Sequence, residues 1–463
     1  MDEAEIPIER ITHQPPSCME FCPANPSFFI VGTYKLEDSR NSSSTEETTS
    51  QSRSGRIEAY QIRKKSLSLS YGISQCIDKY DFPDCAVLDL HFCPHDGTLF
   101  AVCTSTSQMF FFRLVNFQHD PQGNPTDALI LEVGSLDIGA DRTILATSFA
   151  WEPHSITTDP NYMSFAVAFS SGEVKLLGVK QDVRSNNQYD FQITREASID
   201  PAHMLEAWTV AFADLSTTGE NRRNLLTGGD DSILAFHSIQ SESDSGQSRA
   251  TQLFQDRKSH TAGVTAILPI LGTGQTLPRS RVIATGSYDE YLRVFTLEES
   301  LPIKRKIVAE LSIGGGVWRL KKLADCPDEE DQGVLVSSVL LLACCMHAGV
   351  RIVRIIRRIS QNMTQDSCRW KINVIGKFTE GHASMCYAAD SVDVQKLVTD
   401  NDEEDSANSP FPSRKRSRLP DYGDEPPRDF VVVSTSFYDK KICLWNFHND
   451  EMKNSEADPM PEF

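Results

Sequence analysis

The stretch RVIATGSYDEYLRVFTL, residues 281–297, contains the pattern on which the fold prediction rests. An apolar segment is followed by the polar turn Tyr288-Asp289-Glu290 and then by a second segment of β-branched and aromatic residues. This order is typical of a tight β-hairpin whose strands are largely buried. The pattern recurs in NLLTGGDDSILAFHSI, residues 224–239, and in FVVVSTSFYDKKICLWNF, residues 430–447. Helical periodicity is scarce, so the sequence predicts an all-β repeat protein.

The hairpins are those of WD repeats. Trp445 ends one of them where these repeats often have tryptophan, and Phe295 and Phe236 take its place in the other two. Weaker copies fill the rest of the chain, which gives seven units that start near residues 16, 81, 142, 203, 259, 313 and 381. A ring of seven blades leaves no sheet edge exposed. The sequence therefore predicts one domain over residues 1–463, a single seven-bladed WD-repeat β-propeller with long disordered inserts.

The last unit ends on its third strand at Phe447, so it lacks an outer strand. We expect the N-terminal segment, residues 6–11, to supply this strand and to latch the ring. Residues 37–55 and 391–428 have too few apolar side chains to fold alone and are predicted to be disordered inserts, and residues 448–463 a flexible tail. The basic run 414–418 is either a nuclear-import patch or a solvated charge run, and the second interpretation is favoured.

Composition limits the partners. The chain has 45 Lys and Arg against 64 Asp and Glu, a formal charge of −19, which disfavours nucleic acid and favours a basic protein surface. The opening MDEAEIP does not resemble a secretory signal, and the apolar run 334–346 is too short to span a membrane. No CxxC pair and no metal-ligand spacing is found. We expect a cytoplasmic monomer, with a nuclear fraction left open, that has no cofactor, no metal and no membrane insertion.

Known catalytic signatures are missing from the sequence. It has no GxSxG, no HExxH, no phosphate loop ending in Gly-Lys-Ser/Thr and no GxGxxG after a strand. On the residues alone, a non-catalytic WD-repeat interaction scaffold is favoured over an enzyme.

Several segments are more specific than a generic WD repeat. EAWTVAF (206–212), GGGVWRLK (314–321) and CMHAG (345–349) are poor matches to the generic pattern. Together with TGGDDS (227–232), ATGSYDEYLRVF (284–295), GHASMCYAAD (381–390) and STSFYDKKICLW (434–445), they resemble, in order, the diphthine methylesterase family of diphthamide biosynthesis. The resemblance implies a carboxylic-ester hydrolase that removes the methyl ester of diphthine, a modified histidine of translation elongation factor 2, before the final amidation.

The loop that enters each inner strand and the turn between the second and third strands of a blade share one end of the channel. We therefore expect aromatic side chains at this end to bind the trimethylammonium group of diphthine by cation–π contact, with help from nearby negative charge. Packing between blades is the alternative role for the tryptophans. The substrate-binding candidates are Glu206, Trp208, Asp230 with its neighbour Asp231, Tyr288, Trp318, Arg319 and Tyr438.

For catalysis, His347 is the main candidate. Aligning CCMHAGV with TGSYDEY places His347 at the position of Tyr288 and Ala348 at that of Asp289, which leaves the histidine without a structural partner. A solvated turn histidine is the alternative. We hypothesise that His347 is a general base that activates water or Ser384. Backbone amides of Gly314, Gly315 and Gly316 are the candidate oxyanion donors. Two hydrogen-bond sets are expected to be structural: His260 with Ser287 and Asp289, and His382 with Asp439 and Trp445.

Overall fold

Short antiparallel strands joined by tight turns form almost all of the described chain. The computed structural model describes residues 8–37, 52–64, 70–115, 129–153, 159, 161–183, 189–199, 202–213, 222–241, 248–270, 282–298, 303–331, 334–360, 368–398 and 429–449. Its strands form seven separate sheets. The inner strands of neighbouring sheets pack side by side around one axis, so the sheets are the blades of a propeller. The predicted all-β, seven-bladed propeller is confirmed.

Blades 2 to 6 have four strands each, in chain order from the channel outward. Their strands are β8 (Val87–Cys93), β9 (Asp96–Thr104), β10 (Gln108–Leu114) and β11 (Ile130–Asp137); β12 (Ala146–Trp151), β13 (Tyr162–Phe169), β14 (Val174–Val183) and β15 (Tyr189–Ile199); β16 (Ala207–Ala213), β17 (Arg222–Gly229), β18 (Leu234–Ser241) and β19 (Ser248–Asp256); β20 (Val264–Ile270), β21 (Val282–Ser287), β22 (Tyr291–Glu298) and β23 (Lys304–Ser312); β24 (Arg319–Asp331), β25 (Val334–Cys344), β26 (Val350–Ser360) and β27 (Arg369–Phe378).

Blades 1 and 7 meet where the ring closes. In blade 1, two short strands pair with the third strand in addition to the usual four. The strands of blade 1 are β2 (Pro16–Phe21), β3 (Phe28–Thr33), β4 (Lys35–Leu36), β5 (Arg53–Lys64), β6 (Tyr71–Ile73) and β7 (Asp78–Phe82), and those of blade 7 are β28 (Ala389–Asp393), β29 (Asp429–Ser436), β30 (Lys441–His448) and β1 (Ile8–Ile11).

The outer strand of blade 7 comes from the N-terminal segment. β1 pairs antiparallel with β30, with Ile8 opposite Leu444 and Ile11 opposite Lys441. The Lys441 ammonium lies 2.9 Å from the Glu9 carboxylate. The predicted N-terminal latch is therefore confirmed over the described residues 8–11.

A β-bulge recurs at the same place in the blades. In five inner strands the register with the second strand shifts one or two residues after the strand begins: Pro16/Cys18, Val87/Asp89, Ala146/Ser148, Ala207/Thr209 and Val264/Ala266. Bulges bend a strand and re-aim its side chains. Here they lie at the end of the channel that carries the loops entering the inner strands.

The core consists of seven buried apolar clusters, one between each pair of neighbouring blades. This follows from strand geometry, because alternate side chains of each sheet point to opposite faces and meet the sheets on either side. Hydroxyl groups tie some inner strands together as well. Ser17 Oγ donates to the Val87 carbonyl at 2.6 Å, and Thr147 Oγ1 to the Ala207 carbonyl at 2.5 Å. The apolar run 334–346 is largely β25.

The bounds of the predicted inserts need correction. β5 begins at Arg53, inside the predicted insert 37–55. Likewise β28 ends at Asp393 and the helix α1 (Val394–Val398) follows, inside the predicted insert 391–428. The reason is burial, since Val392 and Leu397 join the apolar cluster between blades 7 and 1. Residues 38–51, 399–428 and 450–463 lie outside the described residues, including the basic run 414–418. Within the described residues, no helix is long and apolar enough to cross a membrane.

Candidate functional site

Five aromatic rings from blades 4 to 7 touch one another at the end of the channel where the loops enter the inner strands. Trp318, just before β24, lies 5.6 Å from Trp208 in β16 and 5.9 Å from Tyr288 in the β21–β22 turn, measured between ring centroids. On its other side it lies 5.1 Å from Tyr387, which lies 5.1 Å from Phe437. We call these five residues the aromatic mouth. The structure thus brings together three predicted site residues and adds two that the sequence analysis missed.

Negative charge lies beside these rings. Asp230 Oδ1 accepts a hydrogen bond from the Trp208 indole at 3.1 Å, and the Asp230 amide donates to the Glu206 carbonyl at 2.8 Å. Burial raises the pKa of Tyr288, and the nearby Asp230 and Glu206 carboxylates raise it further. A pocket of electron-rich rings and carboxylates suits a cation, and a quaternary ammonium group above all, because such a group attracts ring faces without needing hydrogen bonds.

Tyr438 lies at the outer rim of this site. Its ring is 68% exposed and lies edge-on to Phe437 at 5.1 Å. Its amide donates to Ser384 Oγ at 2.9 Å, which fixes the backbone of the turn. Tyr438 is therefore placed to touch what covers the aromatic mouth.

Asp231, predicted as a second acidic group of the site, is instead structural. His203 Nδ1 lies 2.9 Å from Asp231 Oδ1, and His203 Nε2 lies 2.9 Å from Thr227 Oγ1. Burial opposes ionisation of Asp231, but its hydrogen bonds with His203 keep the pKa of the carboxyl below its usual range. The sequence analysis missed His203, although it precedes the first residue of β16 by four positions, as His260 precedes that of β20.

The hydrogen-bond set predicted for blade 5 is also rearranged. His260 Nε2 bonds Thr285 Oγ1 at 2.9 Å rather than Ser287 or Asp289. Asp289 forms an ion pair with Arg293 at 2.9 Å. Arg293 competes with His260 for the Asp289 carboxylate. Burial also lowers the pKa of His260 to about 4, so the imidazole is neutral and an aspartate partner would stabilise it little.

The alignment that placed His347 at the position of Tyr288 is wrong by one residue. Cys344 pairs with Val350 as Gly286 pairs with Leu292, and five residues lie between the partners in each blade. By this register, Met346 takes the position of Tyr288, and His347 that of Asp289. The register follows from the equal lengths of the two turns, whereas an alignment by residue type is shifted by one position.

His347 is exposed in the β25–β26 turn. Within the described part of the chain, its ring has no hydrogen bond or ion pair. The preceding residue, Met346, forms a β-bridge with Cys386, next to Tyr387 of the aromatic mouth. His347 therefore lies beside the mouth and faces solvent.

Ser384 is not paired with a histidine among the described residues. Its hydroxyl donates to Asp439 Oδ1 at 2.6 Å and accepts the Tyr438 amide, so both of its hydrogen-bonding roles are taken. His382, predicted to bond Asp439, has no hydrogen-bond partner at either ring nitrogen in the described structure. Its ring packs edge-on against Phe378 at 5.1 Å. Ser384 has taken the structural place that the sequence analysis gave to His382, and Trp445 stacks on Phe378 at 4.6 Å.

The glycine loop before β24 is packed against the neighbouring turns. A Cβ atom on Gly315 would lie 2.3 Å from the Cys345 carbonyl oxygen, and one on Gly316 would lie 2.8 Å from Met346 Sδ. Gly314 has a φ of +91°, which disfavours other residues. Close packing thus explains Gly315 and Gly316, and backbone conformation explains Gly314, while their role as oxyanion donors stays a prediction.

Arg319 does not face the aromatic mouth as predicted. Its guanidinium lies 2.5 Å from Asp89 on the inner strand of blade 2, across the channel. Alternate side chains of a strand point in opposite directions, so Arg319 and Lys321, two positions apart, both face the channel. Trp318 precedes the strand and lies at the loop. Asp89 retains its charge because Arg319 and His91 outweigh burial and hold the pKa of its carboxyl far below the usual range.

A chain of ion pairs continues from this contact around the channel wall. His91 lies 3.3 Å from Asp89 and 3.1 Å from Glu20, and Lys321 lies 3.3 Å from Glu20 and 2.8 Å from Asp390. Burial favours the neutral imidazole, but the two carboxylates raise the pKa of His91 to about 9. Burial likewise opposes ionisation of Glu20, yet Lys321 and His91 lower its pKa to about 2. We call these groups and Arg319 the channel network; the sequence analysis did not predict it.

The channel network lines a cavity of about 440 Å³ whose wall also includes Trp208 and Trp318. The site thus has two connected parts, an aromatic and acidic mouth and a charged channel. In the described residues, no group of His, Cys, Asp and Glu is arranged to hold a metal ion.

A closed ring of seven blades, with a His–Asp–Thr hydrogen-bond set in blade 4 and WD-type hairpins, defines the class of this protein as a seven-bladed WD-repeat β-propeller. No family model matches the chain. It is 25% identical over 406 residues to diphthine methyltransferase of Saccharomyces cerevisiae, with 82% of this chain and 91% of that protein covered. It is 22% identical over 416 residues to the protein of the same name from Schizosaccharomyces pombe, with 90% of each covered.

The human diphthine methyltransferase is 26% identical over 350 residues, which cover 72% of this chain and 65% of the human protein. These similarities confirm the resemblance inferred from the sequence. Among solved structures, Sqt1 of Chaetomium thermophilum is similar with a TM-score of 0.48 and 12% identity, covering 96% of this chain and 99% of that one. Sqt1 of Saccharomyces cerevisiae gives 0.46 and 11%, covering 96% and 98%.

Proposed function

We propose that this chain is an enzyme of diphthamide biosynthesis and that it hydrolyses the methyl ester of diphthine on translation elongation factor 2. The aromatic mouth, in which Trp208, Tyr288 and Trp318 lie beside Asp230, carries the proposal. The names of the similar proteins support diphthine as the substrate.

In this proposal the trimethylammonium group of diphthine packs against the solvent-facing sides of Trp208 and Trp318, which are both only partly buried. Each ring face held against the cation contributes about 0.5–2 kcal/mol, depending on how well water is excluded. Asp230 adds an ionic attraction and at the same time holds the Trp208 indole in place through its hydrogen bond. A neutral side chain of the same shape gains neither contribution.

His347 supplies the base. Its imidazole removes a proton from a water molecule as that water attacks the ester carbonyl, and backbone amides of the glycine loop stabilise the oxyanion. The tetrahedral intermediate then expels methoxide, which takes the proton and leaves as methanol, so that the carboxylate remains. Direct attack by water is favoured over Ser384 because the Ser384 hydroxyl is bonded to Asp439.

A methyl-transfer reaction is the second candidate, because the similar proteins are named methyltransferases. In that case the chain adds a methyl group to diphthine and requires a methyl donor. A non-catalytic adaptor is the third reading, supported by the lack of known catalytic signatures.

Mass spectrometry of the modified peptide separates the three. Elongation factor 2 that carries the methyl ester is incubated with the purified protein, and the factor without the ester is incubated with protein and methyl donor. Loss of the mass of one CH₂ in the first reaction supports the esterase, and gain of it in the second supports the transferase. No change in either contradicts both enzymatic readings and leaves the adaptor.

The same assay tests the base. His347→Ala is expected to lower the rate of hydrolysis at least a hundredfold. The control is His448→Ala, which removes an exposed histidine at the end of β30 that lies away from the β29–β30 turn. Full activity of the His347 variant would show that another group is the base.

A further inference from the structure

The exposed large hydrophobic side chains are concentrated on one face of the propeller. Of the eight in the described residues, two lie on the outer strands β11 and β15, namely Leu131 and Ile193. The other six border the loops and turns at the end of the channel that carries the aromatic mouth: Ile11, Leu36, Met204, Leu205, Tyr291 and Tyr438. We call these six the mouth-face patch. They belong to different blades, and among them Met204 and Leu205 are adjacent; contiguous exposed apolar residues mark interaction surfaces, whereas scattered ones do not.

The most exposed pair of this patch is held outward by its own loop. Met204 is 73% and Leu205 50% exposed. The Met204 amide donates to Asp231 Oδ2 at 2.9 Å, and the amide of the preceding His203 donates to the Gly172 carbonyl at 3.0 Å. The loop backbone is therefore fixed, and the two side chains cannot withdraw into the core.

The pair is continuous with the aromatic mouth. Glu206 follows Leu205 directly, and its carbonyl accepts the amide of Asp230, which holds Trp208. A surface that covers Met204 and Leu205 thus places its neighbouring side chains at the rings. The mouth is anionic and aromatic, so the side chain that enters it is cationic.

We propose that Met204 and Leu205, with the end of the propeller that carries the rest of the mouth-face patch, form the docking surface for the folded protein that carries the substrate side chain. The partner presents apolar residues around a quaternary ammonium side chain. This inference rests on the proposed function, and it adds that recognition extends beyond the modified residue to the surface of the protein around it.

The attraction across this surface is mainly apolar. Three carboxylates of these turns are already used internally: Asp231 accepts the Met204 amide, Asp289 pairs with Arg293, and Asp439 accepts the Ser384 hydroxyl. They are not available for ion pairs with a partner. Affinity for the protein substrate is therefore expected to change less than threefold between low and physiological salt, unlike a steered ionic interface.

The test compares two double variants of the full chain. Met204→Glu/Leu205→Glu places charge in the centre of the patch, and Leu131→Glu/Ile193→Glu makes the same change on the outer strands. The dissociation constant for elongation factor 2 carrying the diphthine methyl ester is measured by surface binding. Hydrolysis of betaine methyl ester, a small ester with a trimethylammonium group, is followed in parallel.

The patch variant is expected to weaken binding of the factor tenfold or more, with betaine ester hydrolysis within twofold of the wild type, while the outer-strand variant changes neither. Unchanged binding by the patch variant, or no binding by the wild type, overturns the docking surface. If the patch variant loses both binding and hydrolysis and its melting temperature falls, the milder variant Met204→Ser/Leu205→Ser is tested instead. That variant must weaken binding of the factor without changing betaine ester hydrolysis. A wild type that binds the factor but hydrolyses neither ester contradicts the esterase and leaves the docking surface standing.

Discussion

The indole N–H of Trp208 donates a hydrogen bond to Asp230 Oδ1 at 3.1 Å, so one carboxylate both orients a ring of the aromatic mouth and places a negative charge beside it. Asp230→Asn separates the two roles, because the amide oxygen still accepts the hydrogen bond while the charge is lost. We expect the affinity for tetramethylammonium to fall about tenfold. Binding of the neutral 3,3-dimethylbutanol, which has the same shape, should not change. Calorimetric titration of both ligands checks this, and equal losses for the two would mean that Asp230 acts only through packing.

Trp318 touches three of the other four rings of the aromatic mouth, Trp208, Tyr288 and Tyr387. Trp318→Leu keeps an apolar side chain but removes the ring face, so the affinity for tetramethylammonium should drop roughly tenfold or more. The matched control is Trp370→Leu, which removes a tryptophan of the outer strand β27 of blade 6 that packs on Arg357. An affinity that survives the first change would place the cation elsewhere.

His91 makes the stability depend on pH in an unusual range. Its folded-state pKa of about 9 lies above the ordinary value of 6.5. The stabilisation from its ion pairs is therefore complete below pH 6.5 and is lost as the pH rises through 9. We expect the free energy of unfolding to fall by up to about 3 kcal/mol over this range from His91 alone.

Urea unfolding of the wild type and of His91→Gln at pH 6.5 and pH 9.5 measures the contribution. The two proteins should differ in their pH dependence, with the variant losing less stability on the alkaline side. Identical pH dependences would show that the imidazole is neutral in the channel. A histidine carbon chemical shift that titrates near pH 9 provides an independent readout.

Ser384 is expected to act in stability rather than in chemistry. Ser384→Ala removes the hydroxyl from Asp439 Oδ1 and from the Tyr438 amide, which should cost about 2 kcal/mol in unfolding free energy. The rate of betaine ester hydrolysis should stay within a few-fold of the wild type. A loss of several orders of magnitude in rate, with the unfolding free energy unchanged, would restore Ser384 as the nucleophile.

Much of the architecture was predictable from local pattern, because each blade repeats the same strand and turn alternation. The placement of Trp208, Tyr288 and Trp318 at one end also followed, since repeat topology puts equivalent loops on one face. Tyr387 was missed because its contact with Trp318 depends on how blade 7 is placed against blade 6, which no single repeat encodes, and Phe437 was missed because it joins the mouth through Tyr387.

The sequence contains a pattern that indicates part of the channel network. Asp89 with His91, and Arg319 with Lys321, are charged residues two positions apart within inner strands, and this period puts both members of each pair on one side. Their pairing could not be predicted, since it joins strands more than two hundred residues apart. The register error at His347 arose because the sequence does not show which residues bracket a turn.

The strand β1 precedes every other described strand of the ring, yet its partner β30 follows all of them. A growing chain can assemble blades 2 to 6 as they emerge, while β1 remains without its hydrogen-bonding partner until β30 has been made. The ring becomes continuous only then, when both edges meet. Newly made protein therefore passes through an open, arc-shaped stage with two unpaired strand edges, which are the groups most prone to pair with another chain.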